Sequence, residues 1–110
     1  MGTSAATVTH MLDCLSDQPG FSAKRMFGEY ALYLNGKVVA LICDDQLFVR
    51  PTPGAIALAT GAVLAPPYHT AKPHLLLTDL LDDPDALTSI LRAVAAEVPA
   101  PKPKKPKKGA

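Results

Sequence analysis

The sequence predicts an α+β domain in which helices pack against an antiparallel sheet. Three observations carry that prediction. Asn35-Gly36 separates two alternating apolar runs, and Asp44-Asp45 separates the second run from a third. Apolar stripes at helical spacing stand at both ends of the chain. Asn and Gly tolerate the positive φ that a type I′ turn needs at its two central residues, so Asn35-Gly36 is a strong hairpin signal.

Thr3 or Ser4 can cap a first helix, with Val8, Met11, Leu12 and Leu15 on one face. Pro19-Gly20 stops it. A strand begins near Ala23 and runs to Asn35-Gly36. Its alternation puts Met26, Gly28, Tyr30, Leu32 and Leu34 toward the core, and Arg25, Phe27, Glu29, Ala31 and Tyr33 away from it. Lys37 to Cys43 returns apolar on both faces, as a central strand does. After Asp44-Asp45, Gln46 to Arg50 completes a three-stranded meander. Pro53 to Thr60 reads as a short alanine-rich helix ending at Gly61. Prolines 66, 67 and 73 interrupt the stretch from Ala62 to Pro73. His74 to Thr78 is a further strand, with a short partner around Tyr68. Asp83 caps the last helix, Pro84 takes its first position, and Asp85 favours its dipole. Leu87, Ile90, Leu91, Val94 and Val98 form its stripe, and Pro99 ends it. The order is α-β-β-β-α-β-(β)-α, a two-layer α-β(3)-α-β(2)-α arrangement.

The chain has 110 residues, 48% of them apolar, which suits one domain spanning 1–98. The last twelve residues, PAPKPKKPKKGA, hold nothing apolar larger than alanine or proline and stand outside any core. The body carries six basic and ten acidic side chains, a net −4, and the tail carries five lysines. The total of +1 therefore joins an acidic body to a basic arm. No membrane-spanning run and no secretory leader are visible, so the expected location is the cytoplasm, without membrane contact.

Catalytic constellations are missing from the pattern. The glycines stand singly, so there is no phosphate loop. Asp44-Asp45 and Asp82-Asp83 sit where turns and helix starts favour Asp. Cys14 and Cys43 have neither CxxC nor Cys/His metal spacing and read as two reduced, buried thiols. His10 falls off its helix's apolar stripe and belongs on the surface. His69, beside Tyr68, is the one histidine to follow for function. No enzyme, cofactor or metal is expected. The tail is different: its prolines keep it extended, and Lys102, Lys104, Lys105, Lys107 and Lys108 are candidate nucleic-acid contacts. Such contacts are weak, unspecific and steeply salt-dependent. A purely solubilising tail is the other reading.

Residues 25–52, "RMFGEYALYLNGKVVALICDDQLFVRPT", resemble the TfoX (Sxy) N-terminal domain family. Arg25, Met26, Phe27, Gly28, Tyr30, Tyr33 and Gly36 match that family's pattern, and residues 40–50 match its following strands. Residues 72–99 are similar to its closing strand and helix. Glu29 stands where a second glycine is frequent. The resemblance implies a fold similar to secretion chaperones and YjbR-like proteins, among which dimers are common. The family's regulators promote natural competence with the cyclic-AMP receptor protein, but they carry a second helical domain that this chain does not supply.

The expected function is a non-enzymatic regulatory or adaptor domain, aiding transcription regulation through protein contacts. Arg25, Met26, Phe27, Gly28 and Tyr30 are its candidate contact residues, a homodimer and a further protein its expected partners. The alternative is a dimerising module with no nucleic-acid role. A third reading is a small-ligand pocket near Arg25, Tyr68 and His69.

Overall fold

Asn35 and Gly36 both have positive φ, 52° and 85°, as a type I′ hairpin turn requires. Asp44 and Asp45 do the same at 52° and 60°, a conformation Asp tolerates better than most residues. The computed structural model describes residues 3–17, 19–26 and 28–98. Around these turns run β1 (Phe21–Met26), β2 (Glu29–Leu34), β3 (Lys37–Cys43) and β4 (Gln46–Val49), followed by β5 (Val63–Ala65) and β6 (His74–Leu76). They form one six-stranded antiparallel sheet in the order β1-β2-β3-β4-β6-β5. The α+β class is as expected.

The meander, however, has four strands rather than three. The stretch expected to run unbroken from Ala23 to Leu34 reverses direction, with Met26 opposite Glu29 and Arg25 opposite Tyr30. Gly28, at φ 83°, supplies the left-handed backbone that the reversal needs. This inverts the expected faces near the turn. Arg25 shares a face with Tyr30 and Leu32, and Met26 shares one with Glu29. The partner strand for His74–Leu76 is Val63–Ala65, not a segment at Tyr68, because Pro66-Pro67 already closes that strand.

Three helices complete the domain: α1 (Ala5–Cys14), α2 (Pro53–Leu58) and α3 (Pro84–Glu97), the last preceded by a 3-10 turn over Thr78–Asp82. Each helix begins at an oxygen-bearing cap. Ser4 accepts from Thr7 N–H, Thr52 from Ala55 N–H and Asp83 from Ala86 N–H. Their buried residues share one cluster with the strands. Met11 of α1 and Leu15 just after it, Ala55 of α2, and Leu87, Leu91 and Val94 of α3 join Leu32, Ile42, Leu47 and Val49. A register shift after Leu32 leaves Val39 as the extra residue of β3, and both Val39 and Ala40 lie in that cluster. Ala31, Cys43 and Phe48, whose pairing puts them on the opposite face, are buried but outside it.

Candidate functional site

Sequence reasoning pointed first to Arg25, Met26, Phe27, Gly28 and Tyr30. In the fold this motif is a hairpin end on the edge strand β1, not the middle of a strand. Phe27 lies outside the described residues. Arg25 is exposed, Met26 and Tyr30 are half-buried, and Tyr30 packs against the core. Among the described residues the Arg25 side chain makes no hydrogen bond or ion pair, with the carboxylates of Asp44 and Asp45 or with any other group.

Those carboxylates have other work. Asp45 Oδ1 accepts from Ser4 N–H at 2.9 Å and from the Thr7 hydroxyl at 2.8 Å. These bonds hold its carboxyl below the usual range, the Ser4 backbone bond contributing most and the Thr7 hydroxyl next. Glu29 accepts from Asp44 N–H at 3.1 Å and bonds the Thr3 hydroxyl. Thr3 in turn accepts from Asp45 N–H at 3.2 Å, and its own N–H reaches Gly28 O. A polar knot thus ties the chain ahead of α1 to both the motif hairpin and the β3–β4 turn. Glu29 therefore has a structural use that a glycine in its place would not have.

The other candidates are scattered. His10 is exposed as expected, its Nε2 3.7 Å from Cys14 Sγ. Cys14 is only partly buried, against expectation, because it sits one turn beyond His10 and away from the stripe. Cys43 is buried, and burial first, then the charges of Glu29 and Asp44, push its thiol up to about 11. Arg25 belongs to one edge of the sheet, whereas Tyr68 and His69 follow β5 at the other. Five strand spacings, about 24 Å, separate those edges, so the three residues form no common pocket. Among the described residues no group of three or more His, Cys, Asp or Glu is placed to hold a metal ion. No helix among them is long and apolar enough to cross a membrane. The lysines at 102, 104, 105, 107 and 108 lie outside the described residues.

The feature that sequence reasoning missed is at the β5 edge. Among the described residues, Ile56 and Leu58 of α2, Val63 and Leu64 of β5, and Tyr68 are the large apolar side chains left exposed, Val63 at 64% and Leu58 at 57%. Leu58 and Val63, with Leu76, Leu80, Ile90 and the acidic Asp79, line a cleft of about 380 Å³. A signal was present in the chain: from Pro51 to Ala71 there is no Asp, Glu, Lys or Arg. The opposite edge, β1, carries Lys24 and Arg25, with Lys24 Nζ 5.6 Å from the centre of the Tyr33 ring.

Fold and hairpin together define a small α+β domain built on an antiparallel meander. The family model for the TfoX N-terminal domain matches residues 13–98. The chain belongs to that family. It is also 34% identical over 107 residues to an uncharacterized 12.7 kDa protein in the trpE 5′ region of Spirochaeta aurantia, covering 97% of this chain and 93% of that one. No solved structure matches it.

Proposed function

We propose that this chain is a non-catalytic adaptor domain that serves transcription regulation by protein contact, and that its first partner is a second copy of itself. The observation that supports this most is the apolar β5 edge, whose own stretch, Pro51 to Ala71, carries no charged side chain. A body of net charge −4 repels its like, and a surface without charges is where two copies approach at least cost. The outer side of β5 also presents unpaired backbone groups, the usual template for strand addition. On β1 the charges of Lys24 and Arg25 discourage such pairing. Three residues of β5 fall well short of the roughly 800 Å² per partner that a stable interface needs. Ile56, Leu58 and Tyr68 therefore join the contact. Residues 99–110 add weak, unspecific affinity for nucleic acid.

Analytical ultracentrifugation tests the self-contact. The parent chain sediments as a dimer at micromolar concentration, and Leu64→Lys shifts it to monomer with an unchanged circular-dichroism spectrum. A monomeric parent at hundreds of micromolar, or a Leu64→Lys variant that stays dimeric, removes this reading.

A further inference from the structure

The backbone fixes how a second copy can add to β5. Leu77 N–H donates to Leu47 O at 3.0 Å, directly across from it when the β4–β6 register is continued by one residue. In an antiparallel ladder successive residues bond to opposite sides, so Leu75 also turns its N–H and C=O toward β4, and His74 and Leu76 turn theirs toward β5. Val63 and Ala65, paired with Leu76 and His74, therefore bond inward, and Leu64 is left with its N–H and C=O facing outward. The flanking positions add no donor. Pro66 has no N–H, and Ala62 N–H already donates to Ala59 O at 3.0 Å. One register follows: two copies pair antiparallel with Leu64 opposite Leu64, about a two-fold axis, through two backbone bonds.

Two bonds are little for an interface, so side chains supply the rest. Across such an axis, residues equally far before and after Leu64 face each other. Tyr68 of one copy, four residues after Leu64, thus comes opposite Thr60 of the other, four residues before it. Thr60, Gly61 and Ala62 belong to the lining of the cleft that Leu80 and Ile90 wall. At about 380 Å³ that cleft exceeds the roughly 150 Å³ that holds a benzene ring. Its lining is apolar except for Thr60, whose hydroxyl donates to Ala57 O at 3.0 Å, and Asp79. The Asp79 carboxylate is exposed and has no hydrogen bond or ion pair among the described residues. Tyr68 has the matching form, an apolar ring, 52% exposed, with one hydroxyl at its tip. A tyrosine that becomes buried needs a partner for its O–H, and Asp79 is the free acceptor in this cleft.

We propose that Tyr68 of each copy fills the cleft of the other, its hydroxyl donating to Asp79, so that the cleft is complete only in the dimer. The proposal rests on the reading that two copies meet at β5, and it adds the register and the anchor. Each buried tyrosine brings about 150–250 Å² of contact, which the three residues of β5 lack. The six strands of each copy then run into one continuous sheet.

Sedimentation equilibrium of the full chain and its variants tests it. Tyr68→Ala weakens dimerisation about 100-fold, since each dimer loses two aromatic anchors. Tyr68→Phe, which removes the hydroxyl bond alone, weakens it about tenfold. Asp79→Ala matches Tyr68→Phe and adds nothing in that background. Asp82→Ala makes the same charge change outside this cleft and does not weaken the dimer. The register has its own readout. Antiparallel residues that exchange both backbone bonds have Cα atoms about 5.5 Å apart, within disulfide reach. Leu64→Cys in a Cys14→Ser chain therefore closes to a covalent dimer on oxidation, whereas Val63→Cys, which is opposite Ala65 of the other copy, does not. A dimer of parent-like affinity with Tyr68→Ala overturns the anchor and leaves the self-contact standing. Equal weakening by Asp82→Ala overturns the bond to Asp79. A dimer in which Leu64→Cys fails to cross-link overturns the register. A parent chain that stays monomeric at hundreds of micromolar overturns the proposal and the self-contact together.

Discussion

Gly28 decides more about this domain than any other single residue of its motif. A Cβ built there meets nothing within 4 Å, so a side chain would fit; what resists it is φ 83°. Gly28→Ala therefore lowers stability through backbone strain alone, by about 1–2 kcal/mol. The urea midpoint should fall with the m-value unchanged, and an unshifted midpoint would show that the turn does not need glycine. The two thiols make a second contrast. Cys43 has a pKa raised from 9.0 to about 11, so its thiol stays protonated through the neutral range, whereas Cys14 is partly exposed. A thiol-specific chromogenic reagent at pH 8 should label one cysteine per native chain and two after unfolding. Because the folded value lies above the unfolded one, Cys43 leaves stability untouched below about pH 9 and lowers it as pH rises from there toward 11. Arg25 is the residue whose role packing does not supply. It is exposed and has no hydrogen-bond or ion-pair partner among the described residues.

At the scale of elements, the helix starts were legible because a cap is a local arrangement. Ser4, Thr52 and Asp83 each bond an N–H three residues ahead, within reach whatever the rest of the chain does. The β1–β2 hairpin was not legible. Its reversal at Gly28 interrupts an apolar alternation that reads continuously from Ala23 to Leu34, and it has no Asn-Gly or Asp-Gly signal to mark it. The clamp between α2 and α3 was equally hidden, since Gly54 and Glu97 are 43 residues apart. A Cβ at Gly54 would run into the Glu97 carboxylate. Gly54→Ala should displace that carboxylate and cost about 1 kcal/mol in a chemical denaturation series. In a Glu97→Ala background the same change should be neutral or slightly stabilising, since alanine suits a helix better than glycine. Additive effects in that double-mutant cycle would argue against the clamp.

On the scale of the whole molecule, sheet order turns separate pieces of sequence into surfaces. The run from Pro51 to Ala71 is uncharged in any conformation, but only the order β4-β6-β5 puts its Val63–Ala65 on a sheet edge. The same order carries Tyr68 and His69 to the far side of the sheet from Arg25 and so removes the pocket that their chemistry suggested. The gathering of basic residues distant in sequence has a similar origin. Arg50, Lys72 and Lys37 are spread over 36 positions and converge because adjacent antiparallel strands bring alternate ends together. By itself the sequence determined what depends on near neighbours: the α+β class, the caps of the first and last helices, two tight turns, the family and an uncharged stretch beside acidic ones. Only the tertiary structure decided that the Arg-Met-Phe-Gly motif is a hairpin end, that Glu29 and Asp45 hold the chain ahead of α1 rather than Arg25, and that acids distant in sequence, Asp45, Asp79 and Asp82, line one cleft. Those outcomes hang on strand register and long-range hydrogen bonds, whose partners stand 15 to 43 residues apart and leave no local pattern to read.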